Sequence, residues 1–154
     1  MSIKVLKDVL IEKGRLERYF EGSVPKDLWR ALNRKQGGSP FDFVEKAYKL
    51  SNGRPRPADI KIEHQNGEPW VFIKDRPRGL STFDKKGVPT GKDWEYFKIP
   101  GGTDLPEGLA IVEDEYNERF KATHFTIAPA YDMPLAQFKN KLKLLANKLI
   151  KEAV

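Results

Sequence analysis

Between residues 60 and 130 the chain is cut into short apolar-rich runs by turn-forming residues, and this spacing limits what it can fold into. IKIEH and PWVFIK are joined by QNGE, where Asn66-Gly67 tolerates the positive φ angles that a tight hairpin turn demands. Further short runs follow at LSTF (80–83), EYFKIP (95–100), LAIVEDEY (109–116) and FKATHFTIAPA (120–130), separated by DKKG and PGGTDLPEG. Runs of this length bounded by Gly, Pro and Asn predict strands, so the middle of the chain is expected to be β.

The flanks read differently. Residues 3 to 20 place Ile3, Leu6, Val9, Leu10, Leu16, Tyr19 and Phe20 at largely helical spacing with Gly14 as an interruption, which predicts one or two short helices. DLWRALNRK (27–35) alternates Leu28, Arg30 and Leu32 with Trp29 and Ala31 and suits a strand with apolar groups on both sides, with a helix as the alternative. After the GGSP turn, Phe41, Val44, Ala47 and Tyr48 follow a helical stripe; SNGRPRP then reads as an internal loop. From Pro134 to Val154, Leu135, Phe138, Leu142, Leu145, Leu149 and Ile150 recur every three or four residues, predicting an amphipathic helix that docks on the sheet rather than on a membrane. At 154 residues the chain is expected to form one α+β domain over 1–154.

Composition removes several chemistries. The chain has no cysteine, so thiolate nucleophiles, disulfides and Cys-based zinc sites are excluded. It has no GxGxxG, Walker A, HExxH or GxSxG pattern. Its first residues are not those of a Sec-type signal, and no segment approaches the ~18 apolar residues of a membrane span. The two histidines, His64 and His124, show no metal-ligand spacing, and no metal is expected. A Ser81, His124 and Asp104 triad is formally available but lacks a nucleophile elbow. The formal charge of +6 favours nucleic acid, nucleotide phosphates, an anionic membrane or an acidic protein, although the lysines are dispersed.

In the run FKATHFTIAPA, alternation puts His124 on a face with Ala122, Thr126 and Ala128, while Phe125 and Ile127 point to the other. By itself that pattern leaves His124 facing either solvent or a cleft. Glu113 and Glu115 of EDE have the Glu-x-Glu spacing of arginine-modifying transferases and lie on one strand face, which makes Glu115 an alternative acid beside the ordinary reading of solvated charge.

The ordered blocks RGLSTFD, IPGGTDLP and DEYNERFKATHFTIAPAYDM, with LWRALN near residue 30 and RPADI at 56–60, carry more. As a set they resemble the bacterial type VI secretion effector family usually called the second type-six-exported toxin. The likeness runs from Arg56 to about Lys148, with a short anchor around Arg30 before it. It implies an ADP-ribosyltransferase-like split β-sandwich, with N-terminal helices and a C-terminal helix, that uses NAD as substrate. It also implies a toxin made in its producer's cytoplasm, carried by the type VI apparatus into a recipient's cytoplasm, and held in check by a cognate immunity protein that the basic charge suits to be acidic.

Residue by residue, the resemblance places Arg30 at the first-strand basic position facing NAD, Ser81 on the serine of a TSVFD-like block, and His124 on the histidine of an ATHYT block. Leu80 stands where that block has threonine, and Thr82 is the nearby hydroxyl expected to substitute. Arg30 offers a planar charged fork to a pyrophosphate, and Ser81 a hydroxyl to ribose. Phe83 and Tyr96 are stacking candidates for nicotinamide, with core packing as the plainer reading. His124 would bind ribose or move a proton. Two readings compete with this one: a nucleic-acid-binding module without enzymatic activity, and an inactive transferase-like toxin that acts by binding a protein.

Overall fold

A computed structural model describes residues 2–35 and 37–152. The chain opens with α1 (Leu6–Glu12), a 3-10 turn (Leu16–Arg18), β1 (Tyr19–Phe20) and β2 (Leu28–Asn33). Two hairpins follow: β3 (Tyr48–Lys49) with β4 (Pro55–Arg56), and β5 (Lys61–Gln65) with β6 (Glu68–Phe72). Next come β7 (Leu80–Phe83), β8 (Trp94–Ile99), β9 (Leu109–Asn117) and β10 (Ala122–Pro129). The last elements are β11 (Met133–Pro134), α2 (Leu135–Ala146) and β12 (Ile150–Glu152). Seven strands form the main sheet in the order β1-β9-β10-β7-β2-β8-β12, and β11-β6-β5 form a second.

The expected α+β class and the strand series are present. Asn66 and Gly67 adopt φ of 53° and 77°, the left-handed pair that a two-residue hairpin turn needs. The two faces of the main sheet bury different cores. On one, Leu80, Phe125 and Ile127 meet Phe138, Leu142 and Leu145 of α2 and Val71 of the second sheet. On the other, Leu6, Val9 and Leu10 of α1 cover Ala110, Val112 and Ala128. The i, i+3, i+4 spacing of those three residues puts them on one face of α1, and burying each contributes about 1.5–3 kcal/mol. α1 covers only that end of the face, so the part carrying His124 stays open, with the buried Thr126 between it and the covered end.

Three expectations need correction. The stripe over 41–50 is not a helix. Its polar backbone groups are taken by distant partners: Asp59 Oδ2 accepts from the Val44 amide at 2.7 Å, the Asp59 amide donates to the Val44 carbonyl, and Arg30 takes the carbonyls of Pro40 and Asp42. Phe41 is buried, but Tyr48 ends exposed in β3, so the apolar spacing never forms one buried face. The C-terminal helix is also shorter than its stripe. It stops at Ala146, and residues 150–152 pair with β8, Ile150 opposite Lys98, because the open edge of that strand offers ladder hydrogen bonds. The expected helix over 153–154 lies outside the described residues. At the N-terminus the helical reading holds for α1 and the 3-10 turn, but Tyr19 and Phe20 pair with Val112 and Ile111 as strand.

Gly79, one residue before β7, has a steric reason. A Cβ there would lie 1.8 Å from the Ile127 carbonyl oxygen, so only glycine lets the chain pass this close to β10.

Candidate active site

β10 is the strand around which the site is built. Its registered partners on β7 put His124 opposite Phe83 and Thr126 opposite Ser81. His124 and Thr126 therefore share a face with the exposed Ser81, while Phe125 and Ile127 enter the main core, as alternation predicts. The face opens into a cleft of about 510 Å³ whose floor includes His124, Thr126, Ser81 and Asp114.

His124 is held on two sides. Its Nδ1 lies 2.7 Å from Asp114 Oδ2, and its ring meets Phe83 edge to face, with centroids 5.2 Å apart and planes at 76°. Asp114 Oδ2 also accepts the Thr126 hydroxyl. Asp114 is the middle residue of EDE, in step with Ala110 and Val112 and so on the face of Thr126 and His124, whereas the Glu-x-Glu reading took its two neighbours. Its alternation with Ala110 and Val112 is the signal the sequence held; which residue of β10 it meets depends on the register. Glu113 and Glu115 line the same cleft, but neither bonds to His124 among the described residues.

A second hollow of about 440 Å³ adjoins the first, and Arg56, Asp59 and Ser81 line both. It runs along β2, which shares one registered pair with β7, Trp29 opposite Phe83, and then parts from it. Arg30 occupies that split. Its Nε donates to Pro40 O at 2.8 Å, one terminal nitrogen to Ser81 O at 2.9 Å and the other to Asp42 O at 3.1 Å. Burial pulls its guanidinium below its ordinary value; Asp59 and Asp42 oppose this and Arg56 reinforces it. Cations also ring the first cleft. Arg56 pairs with Asp59 and Arg78 with Asp75, while Lys13 and Arg15 form no ion pair among the described residues.

Comparison with known proteins places this geometry. The model of a family described as Tse2 ADP-ribosyltransferase toxin matches residues 8–154. The chain belongs to that family. Over 55 residues it is 49% identical to Toxin Tse2 of Pseudomonas aeruginosa, a match covering 36% of this chain and 34% of that toxin. Membership bears out the family resemblance read from the blocks above, and it weighs against a free-standing nucleic-acid module.

Within this member of the Tse2 toxin family, the sequence-derived candidates separate. Ser81 and His124 meet at the cleft, Phe83 lines the adjoining hollow with its ring against His124, and Arg30 reaches the backbone of Ser81 from that hollow. Thr82 does not join them. It is 0% exposed, and its hydroxyl donates to the Phe125 carbonyl at 2.9 Å, so it faces the core side of β7 and cannot substitute for a hydroxyl at position 80. Leu80 is buried on the same side. Tyr96 is 1% exposed and donates its hydroxyl to Pro89 O, which makes it a packing residue under the loop before β8 rather than a stacking surface. The formal triad also fails: the carboxylate at His124 belongs to Asp114, while Asp104 bridges Ser23.

Among the described residues, no group of three or more His, Cys, Asp and Glu side chains could hold a metal ion, and no helix is long and apolar enough to cross a membrane.

Proposed function

We propose that the chain is an ADP-ribosyltransferase toxin that takes NAD as substrate in the His124 cleft. The observation that carries this is the convergence of Ser81, Phe83 and the Asp114-held His124 on one open face, in a chain belonging to the Tse2 ADP-ribosyltransferase toxin family. The donor set suits a dinucleotide. Cations of the rim can meet phosphates, the Ser81 hydroxyl can bond ribose, and the Phe83 ring offers a flat apolar surface.

Transfer requires the nicotinamide–ribose bond to break as positive charge develops on the sugar, so the residues around it must orient ribose and tolerate that charge. Ser81 orients, and the carboxylate of Asp114, with Glu113 and Glu115 on the same wall, makes the cleft floor favourable to a cation. His124 Nε2, which has no protein partner among the described residues, is the atom available to hold or accept a proton. Arg30 acts behind the site by holding residues 40–42 and β7 together.

The family supports further expectations: export through the type VI apparatus into a recipient's cytoplasm, and control by an acidic immunity protein suited to the +6 charge. The test is to incubate the protein, with and without susceptible-cell lysate, with labelled NAD and to follow free nicotinamide and transferred label. Release with transfer is expected, with His124→Ala reducing both by about a hundredfold or more. Absence of both signals beside retained toxicity would reject the enzyme reading.

A further inference from the structure

β9 carries one residue more than β10 between two registered pairs. Thr123 lies opposite Tyr116 and Phe125 opposite Glu113, so Asp114 and Glu115 together face the single residue His124. A bulge of this kind breaks the two-residue alternation and re-aims side chains. The longer ladder, from Pro129–Leu109 to Phe125–Glu113, runs on directly to Asp114 opposite His124, on the face shared by Val112 and Thr126, and leaves Glu115 as the extra residue before Tyr116. The extra residue falls after Asp114, so the aspartate stays in step with Ala110 and Val112 on the histidine's face. Its backbone is braced from outside the sheet, where Arg18 donates to the Asp114 carbonyl at 3.1 Å.

One carboxylate oxygen then serves two groups. Asp114 Oδ2 accepts from the Thr126 hydroxyl and lies within hydrogen-bond distance of His124 Nδ1. An ionised carboxylate only accepts, so the proton between them resides on Nδ1. Thr126, by donating to the same oxygen, fixes where the carboxylate sits, and the Phe83 ring limits rotation of the imidazole. With Nδ1 committed, Nε2 is the nitrogen left for the cleft.

We propose that Asp114 is a positioning residue that holds His124 in the Nδ1–H tautomer, so that Nε2 presents its lone pair to the reacting centre. In the transfer step an acceptor O–H or N–H forms the bond to the ribose C1′, and the C1′–nitrogen bond breaks with its electron pair leaving on nicotinamide. The acceptor's proton passes to Nε2, and Asp114 stabilises the imidazolium that results. This role in transfer rests on the reading of the protein as an NAD-using transferase; the tautomer does not.

The experiment uses the full chain labelled with ¹⁵N-histidine and long-range ¹H–¹⁵N correlation at a pH where the rings are neutral, with His64→Ala assigning the two histidines. His124 is expected to carry its proton on Nδ1. In Asp114→Asn, whose side-chain amide can donate to Nδ1, the proton is expected to move to Nε2 while His64 is unchanged. The turnover number of Asp114→Asn is expected to fall about a hundredfold or more, with KM for NAD within about twofold. A proton on Nε2 in the unmutated chain overturns the proposal without any variant having to fold. So does an unchanged tautomer in Asp114→Asn, or a turnover number within about threefold of the unmutated chain. If the unmutated chain shows no NAD turnover, the transferase reading fails, and the spectrum alone decides whether Asp114 positions His124.

Discussion

The two hollows share Arg56, Asp59 and Ser81, yet the residues at their centres are held in opposite ways. Arg30 spends its fork on three backbone carbonyls, from Pro40, Asp42 and Ser81. His124 spends one nitrogen on Asp114 and keeps the other towards the cleft. A side chain whose donors close onto its own backbone works as a structural clamp, while one whose free atom faces open volume can meet a ligand. The difference separates two residues that the family resemblance had assigned to one site, and it predicts that they fail differently when removed.

The largest expected effect is on the clamp. Arg30→Ala leaves three carbonyls without their donor and frees residues 40–42, so stability should fall by about 3 kcal/mol in chemical denaturation, with NAD handling weakened only through the loosened wall of the site. Arg30→Lys, which has no planar fork, should recover only part of that loss. An Arg30→Ala protein of unchanged stability but with a greatly raised KM for NAD would erase the contrast and make Arg30 a phosphate ligand.

Ser81→Ala should do the reverse. Its exposed hydroxyl makes no hydrogen bond within the described protein, so stability should stay within about 0.5 kcal/mol while NAD turnover falls roughly tenfold, about 1.4 kcal/mol. Equal losses of stability and turnover would show that Ser81 is part of the clamp. The smallest effect belongs to Thr82→Val, which removes the buried bond to the Phe125 carbonyl at 2.9 Å. It should cost about 1 kcal/mol of stability and leave turnover unaltered, sharpening the division between the two faces of β7.

How much of this was legible in the sequence depends on how local each signal is. The hairpin at Asn66-Gly67, the strand LSTF and the faces of Phe125 and Ile127 follow from turn chemistry and alternation, and these are local. The helical stripe over 41–50 misled because Asp59 and Arg30, from other elements, take the backbone groups a helix would pair internally. Leu149 and Ile150 misled for a related reason, since the open edge of β8 captured the last strand.

The site divides along the same line. By itself the sequence determined that His124 and Thr126 share a face opposite the main core, that Ser81 alternates with Leu80 and Thr82, and, through its ordered blocks, which family the chain belongs to. Only the tertiary structure decided which acid reaches His124 and what Arg30 does. The register of β9 against β10 sets Asp114 at the imidazole, with the extra residue of β9 falling after it, and the split between β2 and β7 draws the Arg30 fork onto carbonyls far from it in sequence. Register and strand separation are set by pairing across the sheet, and a periodicity measured along one strand carries no information about them.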